Sequence, residues 1–157
     1  MPVLQDIENV IDGYTGLSRK VLDYSLTMKA LVDASKQPGF DPARWDEIAA
    51  YIDTAVFERV GNFKEVMDWP TYVGFLEGWA KGSDWECSFK RITEQGDLVL
   101  LELEERSSVD GISNAVNSVS VYEFDRAGKI SHLDIYLQMP LPDPAMLAGY
   151  ADVNISG

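Results

Sequence analysis

The chain has 157 residues, 46% hydrophobic and 11% aromatic, which suits one domain burying roughly two thirds of its unfolded surface around a single core. Its 26 acidic against 13 basic residues leave a formal charge of −13, which repels phosphate backbones and anionic headgroups and argues against nucleic acid or a membrane as partner. A single cysteine, Cys87, leaves no internal disulfide, and a single histidine leaves no zinc spacing, so no metal or other cofactor is expected. The start, MPVLQDIENV, carries neither a basic region nor an apolar leader, and no apolar run approaches the roughly 18 residues of a membrane span, so a cytoplasmic protein is expected. Asn154-Ile-Ser156 matches a glycosylation tripeptide and reads as a frayed tail.

From Asp6 to about Ser35, Tyr14, Leu17, Val21, Tyr24, Met28 and Leu31 recur at three- and four-residue steps, the stripe of one long helix weakened early by Gly13 and Gly16. Asp41-Pro42 supplies an N-cap and a first-turn proline for a second helix over 42–53, with Trp45, Ile48, Ala49 and Ile52 inward. Thr54–Val60 is short and β-leaning and ends at Gly61. Asp68-Trp69-Pro70 opens a third helix in the same manner, carrying Tyr72, Val73, Leu76 and Trp79 as far as Gly82.

Four strands follow, at 85–93, 98–107, 113–124 and 130–139. Glu94-Gln95-Gly96 predicts a three-residue turn that places Arg91 opposite Val99, Phe89 opposite Leu101 and Trp85 opposite Glu105. A four-residue loop, Asp125–Gly128, places Tyr122 opposite Ser131, Ser120 opposite Leu133 and Ser118 opposite Ile135. Helices first and an antiparallel sheet afterwards give an α+β domain whose helices fill the concave side of a curved sheet. The core lies at about 20–139, and the proline-rich tail over 140–157 reads as a flap or short helix.

WDEIAAYIDTAVFERVG at the helix-to-strand corner and VYEFDRAGKISHLDIYLQ as the closing hairpin resemble the nuclear transport factor 2-like superfamily, its SnoaL-like cyclases and ketosteroid isomerases most of all. The resemblance covers about residues 20–139 and implies a cone-shaped α+β barrel with a deep pocket, commonly in a dimer. It does not carry over a known acid–base set. Ser120 stands where the isomerase's acidic oxyanion donor and the cyclase's histidine are implied, Ile135 where the cyclase's base is, Arg59 near the isomerase's base and Met28 near its tyrosine. The superfamily hosts lyases, dehydratases, epoxide hydrolases and non-catalytic binding domains, so fold does not give function.

The predicted pairings put Trp85, Phe89, Arg91, Leu103, Glu105, Ser120, Tyr122, Leu133, Ile135 and Leu137 on one mostly apolar face with a few polar groups, as in a small-molecule pocket. Glu105 among apolar neighbours would have its proton affinity raised toward a useful range, or, at a strand end, would simply point to water. Arg91 could hold a carboxylate or a developing oxyanion, or merely neutralise Glu94 or Glu105. Tyr24 and Tyr122 offer hydroxyl donors on apolar bodies, and Arg59 is a further pocket candidate. His132 and Asp134 share the opposite face with Asn117, Val119 and Tyr136, a mixture suited to a dimer or trimer interface unless a one-residue slip exchanges the faces. Cys87 has no basic sequence neighbour and reads as core. The reading is a cofactor-independent lyase, dehydratase, isomerase or cyclase with Glu105, Arg91 and Tyr24 catalytic, acting on a small hydrophobic or aromatic ligand. Its competitor is a binding or dimerisation domain.

Overall fold

A computed structural model describes residues 4–109 and 111–140 of the chain, and the expectations for the tail and for Asn154 fall outside them. In chain order the elements are α1 (Ile7–Val10), a 3-10 turn (Ile11–Gly13), α2 (Gly16–Ala34), a second 3-10 turn (Pro42–Trp45), α3 (Asp46–Ala49), β1 (Glu58–Val60), β2 (Val66–Met67), α4 (Trp69–Gly82), β3 (Asp84–Gln95), β4 (Leu98–Val109), β5 (Ile112–Phe124) and β6 (Ile130–Gln138). The strands form one curved, open sheet in the order β2-β1-β6-β5-β4-β3, antiparallel throughout except where β1 runs parallel to β6. This is the expected α+β arrangement.

The expected first helix is two helices. Tyr14 and Thr15 are extended and Gly16 sits at φ +65°, a left-handed conformation that costs glycine little, so the chain turns there before α2 begins. From α2, Val21, Leu22, Tyr24, Met28, Leu31 and Val32 are buried, and the helix packs on β3 and β4. Ser18 tethers its first turn: the backbone N–H and the hydroxyl donate to Glu94 Oε1 at 2.7 and 2.8 Å.

The expected second helix is also cut short, for a different reason. Asp41 does cap it, accepting from the Ala43 N–H at 2.9 Å above Pro42. Beyond Ala49, however, the backbone is claimed by β6: the Ile130 N–H donates to Tyr51 O at 2.8 Å and the Asp53 N–H to Ile130 O at 3.0 Å. Sheet pairing overrides helix propensity over 50–53, although Ile52 is buried as expected. α4 follows its signals closely, with Asp68 accepting from the Thr71 N–H at 3.0 Å and Pro70 in the first turn.

The sheet departs from the predicted registers by bulges. In β3–β4 the turn is tighter than expected, with Gln95 opposite Leu98, and the register then slips at Lys90, so Arg91 faces Glu102 while Phe89 faces Leu103, Cys87 faces Glu105 and Trp85 faces Ser107. In β5–β6 the slip falls at Ser131, next to the turn, after which Tyr122 faces Leu133, Ser120 faces Ile135 and Ser118 faces Leu137. Away from the turns both hairpins are displaced by two residues from expectation. An even displacement keeps each side chain on its face.

Candidate active site

The concave side of the sheet, roofed by α2 and α4, encloses a cavity of about 360 Å³. Most of its wall is apolar, including Met28, Phe75, Leu76, Trp79, Trp85, Leu103, Leu133 and Ile135, with Arg59, Glu105 and the hydroxyls of Tyr24, Tyr72, Tyr122 and Ser120 set among them.

β4 places Glu105. Alternation puts Leu101, Leu103 and Glu105 inward and Glu102, Glu104 and Arg106 outward. The Glu105 carboxylate is half-buried, and its Oε1 accepts the indole N–H of Trp85 at 2.9 Å, which fixes where it points. Trp85 is in turn held edge-on by Trp79 of α4, with ring centroids 6.1 Å apart.

Facing the sheet from the helices, the hydroxyls of Tyr24 and Tyr72 lie 3.3 Å apart within hydrogen-bonding reach. Burial raises the affinity of both phenols for their protons. For Tyr24 the neighbouring Tyr72 and Tyr122 add to this, and for both the charge of Arg59 works against it. Burial likewise raises Tyr122. All three therefore remain protonated well beyond neutral pH, as donors and not as bases. One hydroxyl bond between Tyr24 and Tyr72 uses one proton of the pair, so the other remains free for a cavity ligand.

Arg59 sits on β1, between Met67 of β2 and Leu133 of β6. Its side chain is only 12% exposed. The guanidinium carbon lies 5.2 Å from the centre of the Tyr72 ring and 5.6 Å from that of Phe75, and the nearest carboxylate is Glu65, 3.6 Å from Nη1. Its Nε and Nη1 are buried without a hydrogen-bond partner among the described residues.

Of the residues singled out in the sequence, Tyr24, Arg59, Trp85, Glu105, Ser120, Tyr122, Leu133, Ile135 and Leu137 all line this cavity. Two do not. Arg91 is a correction: the slip at Lys90 turns it to the outer face, where its side chain is 74% exposed and its Nε and Nη2 donate to the Glu102 carboxylate, so it reaches neither the cavity nor Glu105. Phe89 is buried on the inner side but packs against Tyr14 with centroids 6.0 Å apart, outside the cavity wall. His132 and Asp134 face outward, with His132 Nε2 2.9 Å from Asp134 Oδ1 and Nδ1 3.4 Å from Glu58 Oε1. Cys87 packs against the core, and burial together with the Glu105 charge pushes its thiol up to about 12.

Sequence reasoning left Tyr72 and Phe75 out of the site. The available signal was the 72–75–76–79 spacing on α4, one helical stripe carrying three aromatic residues.

Among the described residues no helix is long and apolar enough to cross a membrane, and no group of three or more His, Cys, Asp or Glu side chains could hold a metal ion. No protein-family model matches the chain, and no curated protein resembles it in sequence. Solved structures do. A protein named as a SnoaL-like polyketide cyclase from Jannaschia sp. CCS1 superposes with a TM-score of 0.59 at 13% identity, over 88% of this chain and 94% of that one. A nuclear transport factor 2-like protein of unknown function from Cytophaga hutchinsonii gives 0.54 at 15%, over 86% and 96%. A protein named as an LEH-like epoxide hydrolase from M. tuberculosis gives 0.53 at 16%, over 72% and 84%. The α+β cone of this chain, with helices seated in a curved six-stranded sheet, is therefore the nuclear transport factor 2-like fold.

Proposed function

We propose that the protein is an acid–base enzyme that moves a proton on a small, largely apolar substrate carrying a carbonyl or phenolic oxygen. The observation that carries this reading is the carboxylate of Glu105, aimed into an apolar cavity by the Trp85 indole. Solved structures of the same fold include proteins named as a cyclase and an epoxide hydrolase, so the fold accommodates chemistry in such a cavity.

In the proposed step Glu105 takes a proton from carbon beside a carbonyl. The C–H electron pair becomes the C=C bond of an enolate, and the carbonyl π electrons move onto oxygen. The free hydroxyl proton of the Tyr24–Tyr72 pair donates to that oxygen, where stabilising developing charge counts most. The protonated Glu105 then returns the proton to the same carbon or, in a conjugated dienolate, to the γ carbon. Alternatively the carbonyl reforms, the enolate electrons make the α–β double bond, and a β leaving group departs with the proton from Glu105. General acid–base assistance of this kind contributes roughly 10²–10⁴-fold in rate.

The test is carbon-bound proton exchange. A bicyclic ketone such as 2-tetralone, incubated with the protein in heavy water, should take up deuterium beside the carbonyl faster than in buffer, as followed by NMR. Glu105→Gln should remove that excess while leaving affinity within about tenfold, as for a group acting mainly in the transition state. Ketones that bind and never exchange would favour the competing reading, a domain that only holds its ligand.

A further inference from the structure

We propose that the ligand of this cavity is an apolar, ring-containing skeleton bearing one carboxylate, and that Arg59 is the group that reads it. The inference rests on the cavity being the substrate site but not on Glu105 performing chemistry.

A guanidinium carries five N–H donors and no acceptor, and taking it out of water is costly unless those donors are matched. Arg59 is 12% exposed. Its one carboxylate neighbour among the described residues, Glu65, lies 3.6 Å from Nη1, beyond hydrogen-bonding distance, and Glu65 is itself 39% exposed. Among the described residues Nε and Nη1 have no acceptor, and both are buried from solvent. The rings of Tyr72 and Phe75 flank the charge at 5.2 and 5.6 Å. Ring faces attract a cation but do not supply the in-plane acceptors its N–H groups need. The chain thus holds a desolvated, under-satisfied cation in the wall of a mostly apolar cavity, and an incoming carboxylate would complete it with a two-pronged contact.

The position of the carboxylate follows from the sheet order. Arg59 is on β1 and Glu105 on β4, with β6 and β5 between them, so the two charges occupy different parts of the wall. A ligand anion at Arg59 is kept away from Glu105, whose like charge would oppose it. The strands between them contribute Tyr122, Leu133 and Ile135 to the wall, a mostly apolar stretch that suits fused or single rings. The overall charge of −13 opposes every anion equally, so the discrimination must come from local contacts.

The test compares 2-naphthoate with its neutral isostere 2-naphthamide by isothermal titration calorimetry near pH 7. The intact protein should bind the acid about tenfold or more tightly than the amide, the size of effect that a charge-assisted bidentate contact gives. Arg59→Gln should bring the ratio to within about twofold, and Arg91→Gln, on the outer face, should preserve it. Should Arg59→Gln fail to fold, Arg59→Lys decides: keeping the charge but losing the fork should lower the ratio without abolishing it, and an unchanged ratio would overturn the proposal. Equal or tighter binding of the amide, or a preference that survives Arg59→Gln, also overturns it. Ketone exchange without carboxylate preference would sink only this inference. Carboxylate preference without exchange would sink only the acid–base reading, and failure of 2-tetralone and both naphthyl compounds alike to bind would sink the two together.

Discussion

The two faces of the sheet use the same residue types under opposite conditions, and Arg59 and Arg91 show the contrast best. Arg91, on the outer face, is 74% exposed and holds Glu102 with two donors, while water screens the guanidinium. Arg59, on the inner face, has among the described residues a single carboxylate 3.6 Å away and two nitrogens with no acceptor. The better-made ion pair is the one that matters less, because charge energetics depend on what surrounds a pair more than on its geometry. The same holds along β4, where Glu104 is engaged by Arg106 at 2.9 Å on the outer face and Glu105 accepts an indole N–H in the cavity.

The largest test of the contrast is alkaline pH. Tyr24, Tyr72 and Tyr122 all hold their protons above the ordinary phenol value of 10.0, so the unfolded chain releases protons that the folded chain keeps. Their contribution is fully present below pH 10 and is lost as pH rises beyond it. Phenolate absorbance should therefore show three of the seven tyrosines ionising only with cooperative unfolding. Their gradual titration in a still-folded protein would refute the dry inner face.

A smaller effect is expected for Trp85→Phe. Removing the indole N–H leaves a half-buried carboxylate oxygen of Glu105 without its donor, at a cost of roughly 2 kcal/mol in denaturant unfolding, partly recovered by adding Glu105→Gln. Next comes Gly61→Ala, whose Cβ would overlap the Glu65 carboxylate and crowd Arg59 Nη1 at 2.9 Å. Because Glu65 can swing into water, the cost should be under about 1 kcal/mol, read best as a changed ligand affinity at Arg59. Least of all, Arg91→Ala should leave the unfolding midpoint and ligand binding where they were. A loss there comparable to that of Trp85→Phe would erase the distinction between the faces.

Much of this organisation was legible from spacing. The Asp-Pro and Asp-Trp-Pro starts mark helix caps because a carboxylate and a proline each solve a problem of the first turn. Period-two alternation put Glu105, Tyr122 and Leu133 on one face and His132 with Asp134 on the other, and the registers were off by an even number, which leaves faces unchanged. Arg91 was lost because the bulge at Lys90 bears no mark: neither glycine nor proline stands there, and a lysine reaching solvent fits either phase. At Ser131 the same irregularity displaced only a residue beside the turn, whose hydroxyl donates to Glu123 O at 3.3 Å. The two-residue β2 is too short for any periodicity, and the end of the second helix was decided by Ile130, remote in the chain. Tyr72 was visible as a helix stripe, but only tertiary packing brings its hydroxyl to Tyr24.

The parallel contact between β1 and β6 has a kinetic meaning. It joins segments far apart in the chain through three residues of β1, so its loop-closure entropy is large and its local reward small. The hairpins β3–β4 and β5–β6 can zip from their own turns, whereas the seam that seats Arg59 must wait for them. Amide hydrogen exchange should accordingly be fastest along β1 and slowest at the centre of β4 and β5, with the guanidinium wall the last to be sealed on refolding and the first to breathe.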